Sequence, residues 1–536
     1  MLARTLQAAK DRPGLVALLT VFGAWGAWFI YRTSFFADGE RVFCLFDDAM
    51  ISMTYARNLV EGHGLNWARY GEPVEGFTCP LWTFYMASLH LLPVPLRLQA
   101  LLVQITSLAV LAANIVAVTE LARRHFAGER ARYAIPAGIL TASYYPLNHW
   151  SLQGMETGVQ ALLVTLAVLF ALDTALAGRR REAPLFAVLA AAALLRLDML
   201  ILIGTVVAYL VLNARFAGPQ LRRCVVGSLV VVASLLAYEI FRWVYFHDWL
   251  PNTYYLKMTG LPAGTRILRG LLVFRGFLDL AAIPLALAAL GSIPMLRRQP
   301  GLGLPLAVVV LYLGYSIYVG GDAWEWSNVG ANRFQVIVMP LVFAMLTGVL
   351  NQGIDAVNRL ARGRFGRGGV GLSVVVPVTL VCALLANGLW ATDRAGERWR
   401  NILVLDLPLH VEQNREIVRG IRRLSREISP EAKMLTVWAG IPAYFSDFRM
   451  ADTLGYNDRY IARLDHVQWL SGVDHVDLFK PGHNKLDYAY SLGTVRPDLV
   501  FQTFRLGKSE PELMRRYGFE RRYGVWVRGD SQNLER

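Results

Sequence analysis

LFDDAMISMTYARNLVEGHGLNWARYGEPVEGFTCPLWTF, residues 45–84, is a polar segment in a chain that is otherwise apolar for its first three-quarters. It opens on two adjacent carboxylates, Asp47 and Asp48, set among Phe43, Leu45, Phe46, Met50 and Ile51. A helical stretch follows, then Gly62 and Gly64, then PVEGFT. An acidic pair at the start of a helix is ordinarily a solvated cap, and Asp48 is placed to be one. A carboxylate held against apolar surface has a second use: its pKa rises and its direction is fixed, as a general base requires.

On either side of this segment the chain is hydrophobic. Over 536 residues, 55% are hydrophobic and 18% charged, and the mean hydropathy is +0.37. Soluble domains carry about a quarter charged residues. The apolar residues fall in blocks of roughly the 20 residues a bilayer crossing needs, as far as Trp390, and then stop. The run after Arg12 is too long for a signal-peptide core and lacks a small-residue cleavage site, so it reads as an uncleaved first span. The net charge of +14 does not indicate nucleic acid: arginines cluster between apolar blocks, where membrane topology explains them.

Those clusters set the orientation. They are Arg4/Lys10/Arg12, Arg123/Arg124/Arg130/Arg132, Arg179/Arg180/Arg181, Arg215/Arg222/Arg223, Arg297/Arg298 and Arg359/Arg362/Arg364/Arg367. With all of them cytoplasmic, about eleven spans follow by parity: 14–31, 98–120, 133–147, 158–177, 184–196, 199–214, 224–245, 274–294, 303–319, 334–350 and 371–390. The run 80–93 is apolar but short and ends in prolines, which predicts an interfacial or re-entrant helix. The expected architecture is mainly α: a polytopic transmembrane bundle over 1–392, its first extracytoplasmic loop spanning 32–97, and a soluble α/β domain over 393–536. The expected location is a bacterial inner membrane, multi-pass, with the C-terminal domain extracytoplasmic. Cys44 and Cys79 bracket the first loop, where a disulfide is chemically allowed.

This parity puts the polar and aromatic loops on one face, and ionisable residues at a membrane edge are costly enough to mark function. Lys257 follows NTYYL; it is either a snorkelling lysine or a cation for a phosphate. Arg333 is either an interfacial anchor or a second, bidentate phosphate ligand. Arg196, beside Asp198, reads as an ion pair or a third. Glu156 in GMETG either starts a span or binds substrate hydroxyls, and Glu75 and Asp322 are placed with it as substrate contacts. Tyr254 and Trp324, with Tyr255 and Trp326, are belt residues or sugar platforms. His483 reaches such a site only if the soluble domain folds down over it. His247 and Asp248 form a weak metal pair. No cofactor motif is found, neither GxGxxG, Walker loop, HExxH nor CxxC; a divalent metal at the acidic pair stays open.

The pattern D-D-A-x-I-S-x-x-Y-A-R-N-L-x-x-G-x-G-L, followed by P-V-E-G-F-T and L-W, resembles the first periplasmic loop of one GT-C glycosyltransferase family, that of the mycobacterial terminal arabinofuranosyltransferase (ZomB-like). GMETG (154–158), PNTYYLK (251–257), GGDAW (320–324), NRF (332–334), ADTLGYNDRYIAR (451–463) and PGHNK (481–485) are similar to it as well. The resemblance implies a GT-C bundle with its site at the outer face and Asp47 as catalytic base beside Asp48. It also implies a polyprenyl-phosphate sugar donor, a pentofuranose such as arabinofuranose, inversion, and a cell-envelope glycan acceptor. The competing readings are a transporter or flippase and a non-enzymatic envelope or motility factor. A transporter shows paired halves and polar groups at the midplane; here polar residues gather at one face and no repeat is found.

Overall fold

The computed structural model describes residues 12–127, 133–213, 218–325, 327, 329–362, 372–390, 394–465 and 479–534. Arg4, Lys10, Arg130, Arg132, Arg215, Arg364, Arg367 and Trp326 lie outside the described residues.

The length of each apolar run sets the main layer. Among the described residues six helices are long and apolar enough to cross a membrane: Pro13–Thr33, Leu96–Phe126, Thr157–Ala175, Pro219–Phe246, Ala263–Arg298 and Arg333–Arg359. Glu182–Leu195, Leu197–Leu212, Gly303–Tyr318 and Val375–Ala386 are shorter apolar helices. Together they form a helical membrane bundle. Thr157–Ala175 and Arg333–Arg359 are buried over most of their length and make its centre, whereas Pro219–Phe246 keeps most of its surface outward.

Two apolar blocks are not single long helices. The block expected as one span over 133–147 is broken into Ile135–Ser143 and Tyr145–Leu152, with Tyr144 extended at φ −78° and ψ 92°. Pro146 sits in the first turn of the second helix; it has no N–H to give Ala142 O and its ring would clash there, so one helix cannot run through the block. Backbone groups freed inside a membrane protein must find partners. Asn387 Oδ1 accepts from Tyr145 N at 2.9 Å, and Asn387 Nδ2 donates to Ser143 O at 3.0 Å. The second block is the helix Pro80–His90, whose 11 residues rise only about 16 Å, half a hydrocarbon core. Trp82 Nε1 ties it to Gly154 O at 2.9 Å.

After the first long helix, strands β1 (Phe35–Ala37) and β2 (Glu40–Val42) form an antiparallel hairpin whose turn, Asp38–Gly39, has positive φ at both residues. The helix Asp47–Val60 follows. In the C-terminal part, β3 (Lys433–Thr436), β4 (Arg449–Asp452), β5 (Leu499–Val500), β6 (Phe519–Arg522) and β7 (Val525–Arg528) build one sheet in the order β4-β3-β5-β7-β6. β4, β3 and β5 run parallel, and β7 and β6 are antiparallel additions. The helix Val411–Glu427 buries Ile417, Val418, Ile421 and Leu424 at helical spacing and turns its arginines outward. Arg419 and Arg422 donate to the carbonyls of Phe36 and Ala37, and Arg426 pairs with Asp38, so this helix lies across the β1–β2 hairpin.

The sheet unit is also pinned to the first loop. Arg57 donates to Tyr444 O at 2.7 Å and pairs with Asp447 at 2.7 Å, and Trp67 Nε1 donates to Ala439 O at 2.7 Å. Cys44 and Cys79 are both buried free thiols; the allowed disulfide is not formed.

Candidate active site

The first loop, the sheet unit and the bundle meet around one cavity of about 1340 Å³, counting its open mouth. The helix Asp47–Val60 supplies Asp48 from its second position. The turn before Thr157–Ala175 supplies Glu156, the break after Glu182–Leu195 supplies Arg196, and the short helix Asn252–Met258 supplies Tyr254 and Lys257. Asp322 and Arg333 come from the two ends of one loop, and Tyr456 comes from the sheet unit.

Charge pairing orders this wall. Arg333 grips Asp322 with two nitrogens, Nε at 2.6 Å and Nη2 at 2.9 Å, and reaches Asp48 Oδ2 with Nη1 at 3.2 Å. Its position is fixed by Asn332, which caps the following turn in a reciprocal box with Gln335. Burial pushes the Asp322 carboxyl up, but Arg333 outweighs this and holds it below the usual carboxylate range. Arg196 reaches Glu156 at 2.5 Å, Asp198 at 2.7 Å and Thr78 Oγ1 at 3.2 Å. Lys257 differs: among the described residues its ammonium makes no hydrogen bond or ion pair, and it faces the ring of Tyr456 at 5.4 Å. Burial pulls its pKa down, and nearby Arg333 adds to the shift. An anion in the cavity would reverse that penalty.

The two adjacent aspartates face different ways, because successive helix positions point about 100° apart. Asp48 lines the cavity and makes no cap. Asp47, expected as the base, faces the sheet unit: its Oδ1 accepts from Gly440 N at 3.1 Å and Ile441 N at 2.8 Å. Burial pushes the Asp47 carboxyl up to about 7 against these two donors, with the Asp48 charge adding to the rise. Gly440 has to be glycine here, since a Cβ would stand 2.0 Å from Asp47 O.

Of the other expected residues, Lys257, Arg333, Arg196, Glu156, Tyr254 and Asp322 meet at the cavity, and three do not line it. Glu75 is buried and accepts from Arg242 Nε at 2.6 Å and Tyr238 OH at 2.8 Å, so it anchors the loop to Pro219–Phe246. Trp324 packs on Phe46, His410 and His483. His483 lies behind the wall against Trp324 and Tyr456, while Pro481 of its turn touches the cavity. Asp248 is taken by Arg459 at 3.1 Å and Arg463 at 2.6 Å, which removes it from a metal pair with His247.

Tyr456 was not singled out from the sequence, although it stands in the TLGYNDR motif. Its neighbours lock it into the wall. Asn252 Nδ2 donates to Gly455 O at 2.9 Å and Tyr456 O at 3.1 Å, which joins PNTYYLK to TLGYNDR. Tyr55 OH lies 2.9 Å from Asn457 Oδ1, and a Cβ on Gly76 would stand 2.0 Å from that same oxygen. The motifs scattered along the chain are therefore one surface.

Among the described residues no three His, Cys, Asp or Glu side chains converge as a metal site. The carboxylates facing the cavity are each taken by an arginine, a donor set that does not fit a divalent metal.

Comparison with solved structures gives the fold. ArnT from Cupriavidus metallidurans bound to undecaprenyl phosphate matches with a TM-score of 0.56 at 14% identity, over 97% of this chain and 98% of that one. This chain has the fold of ArnT. The apo form of ArnT matches at 0.51 and 14% identity, over 83% and 86% of the two chains. The arabinofuranosyltransferase AftD from Mycobacteria is more distant, at 0.43 and 14% identity, over 82% of this chain and 32% of that one. At 14% identity the likeness to ArnT is one of fold. No family model and no curated protein matches it.

Proposed function

We propose that this chain is a multi-pass membrane glycosyltransferase that moves a sugar, a pentofuranose such as arabinofuranose, from a polyprenyl-phosphate carrier to a cell-envelope glycan. The observation that carries the reading is the convergence of Lys257, unpaired among the described residues, with Arg333 and Arg196 on a cavity whose wall also presents Asp48. ArnT, which shares the fold, was solved with undecaprenyl phosphate, a carrier of the kind that leaves in the reaction proposed here.

The chemistry is one displacement. The acceptor hydroxyl oxygen attacks the anomeric carbon as the bond from that carbon to the phosphate oxygen breaks. Polyprenyl phosphate leaves with the bonding electrons, and its growing charge is met by Lys257 and Arg333. Asp48 takes the hydroxyl proton, a role worth about 10²–10⁴ in rate. Attack opposite the leaving group inverts the centre, and a phosphate leaving group needs no acid. Asp322 keeps Arg333 oriented, and Tyr456 covers Lys257.

Residues 1–392 are read as the membrane unit and 393–536 as an extracytoplasmic α/β unit over its outer face, in a bacterial inner membrane. Sugar transfer by membranes carrying this chain, supplied with polyprenyl-phosphate pentofuranose and envelope glycan, tests the reading. Transfer that vanishes in Asp48→Asn supports it. Donor that is neither bound nor consumed by the wild type overturns it.

A further inference from the structure

A second cavity, about 1210 Å³ with its open mouth, shares the segment 320–335 as a wall with the first. This segment gives it Glu325, Ser327 and Gln335. The helix Ala263–Gly291 gives it Asp279, and the stretch after Leu372–Ala386 gives it Trp390, Arg394 and Glu397. None of these residues takes part in the displacement described above.

Several groups there are left to serve a ligand. Gln335 is 1% exposed; its Oε1 accepts from Asn332 N at 3.2 Å, but its Nε2 has no partner among the described residues. A buried amide donor without a partner is costly, and a ligand acceptor would relieve it. Asp279, Arg394 and Glu397 are exposed, and among the described residues their side chains form no hydrogen bond or ion pair. Trp390 is 46% exposed beside them.

We infer that this second cavity, with the unpartnered Gln335 amide, the free Asp279, Arg394 and Glu397 and the open face of Trp390, holds the non-reacting sugars of a neutral acceptor glycan. Acceptors and donors are mixed on its walls, which suits hydroxyls because each hydroxyl both donates and accepts. The charges lining the cavity nearly balance, Asp279 and Glu397 against Arg394 and Arg398 with Glu325 paired to Arg269, so no net charge on the ligand is called for. An alkyl chain would bury polar groups without pairing them. An indole face suits the C–H face of a sugar ring. The two cavities are linked by chain: Gln335 completes the Asn332 box, and Arg333, which holds Asp48, lies inside that box. Glycan bound at Gln335 is thereby anchored beside the reacting groups, and remote contacts of that kind position a substrate for reaction.

This inference rests on the proposed function, and its test keeps the two apart. The full-length protein in detergent is titrated with neutral tetrasaccharides of arabinofuranose and of mannopyranose, followed by saturation-transfer NMR, and separately with farnesyl phosphate. The wild type is compared with the combined variant Asp279→Asn, Trp390→Ala, Glu397→Gln, all at exposed positions. The expected result is glycan binding by the wild type, at least tenfold weaker in the variant, with farnesyl phosphate binding unchanged. Glycan affinity equal in the two proteins, or absent from the wild type while farnesyl phosphate binds, overturns the inference. A co-purifying phospholipid lost only from the variant also overturns it, since the cavity would then be a lipid site. If farnesyl phosphate does not bind, the donor reading fails, and the glycan arm still decides the second cavity.

Discussion

Asp47 Oδ1 accepts the backbone N–H of Ile441 at 2.8 Å, joining residues 394 positions apart in the chain. The contact turns one of two adjacent carboxylates away from the cavity and leaves Asp48 facing it. It also ties the sheet unit to the helix that carries the proposed base.

The two aspartates should therefore separate in activity. Asp48→Asn removes the proton acceptor and should lower turnover by about 10²–10⁴ with donor binding intact. Asp47→Asn keeps an oxygen for the Gly440 and Ile441 donors and should lower turnover less. Single-turnover transfer with a polyprenyl-phosphate pentofuranose measures both. An inactive Asp47→Asn beside an active Asp48→Asn would exchange the roles.

The contribution of Asp47 and Asp452 to stability should fall as pH rises towards neutrality, while buried His410 and His483, whose pKa values are lowered to about 4, contribute in the opposite sense. In the folded chain Asp47 titrates at about 7 and Asp452 at about 6, both pushed up chiefly by burial. In the unfolded chain each titrates at about 4. Between those values these two carboxyls hold more protons in the folded state, so raising the pH through the window weakens their contribution, and above about 7 that loss is complete. The difference in melting temperature between the wild type and Asp47→Asn, followed in detergent from about pH 4.5 to about pH 8, should move against the wild type as the pH rises. Parallel curves would remove Asp47 from the account.

Lys257→Ala should act on the donor. A charge-assisted contact is worth about 1.5–3 kcal/mol, or roughly 10- to 100-fold in donor KM. Lys257→Arg should recover part of the loss, since a cation remains. Unchanged KM and turnover in Lys257→Ala would make it a membrane anchor.

Glu75→Gln should cost stability rather than substrate affinity. The substitution takes one of two carboxylates off the buried Arg242 and leaves Glu239 on it, so the cost should stay below the about 3–5 kcal/mol of a fully unpaired buried charge. The variant should melt earlier, while the folded fraction keeps its acceptor KM. A raised KM at unchanged melting temperature would return Glu75 to the substrate.

The side of the membrane is open to a direct measurement. Alkaline phosphatase fused after Arg536 should be active, and a fluorescent protein exported unfolded through the same position should stay dark. The opposite pair of results would place Asp48 and Lys257 in the cytoplasm and remove access to an outward donor.

The sequence by itself determined the membrane bundle, because the number of consecutive apolar residues sets whether a helix crosses, and that quantity is local. It also singled out the loops that meet at the first cavity, since ionisable and glycine-rich motifs stand out against apolar blocks. Only the tertiary structure decided the rest. Whether Asp47 or Asp48 reaches the cavity depends on what covers the other, and Gly440 lies nearly four hundred residues away. Glu75 reads as a loop carboxylate until Arg242 and Tyr238 are brought against it. Tyr456 joins the wall because Asn252 holds its backbone. The 133–147 block reads as one span, but Pro146 breaks it and Asn387, far along the chain, makes the break tolerable. In each case composition fixes the energy of burying a group, while the direction a side chain faces depends on distant partners that composition does not encode.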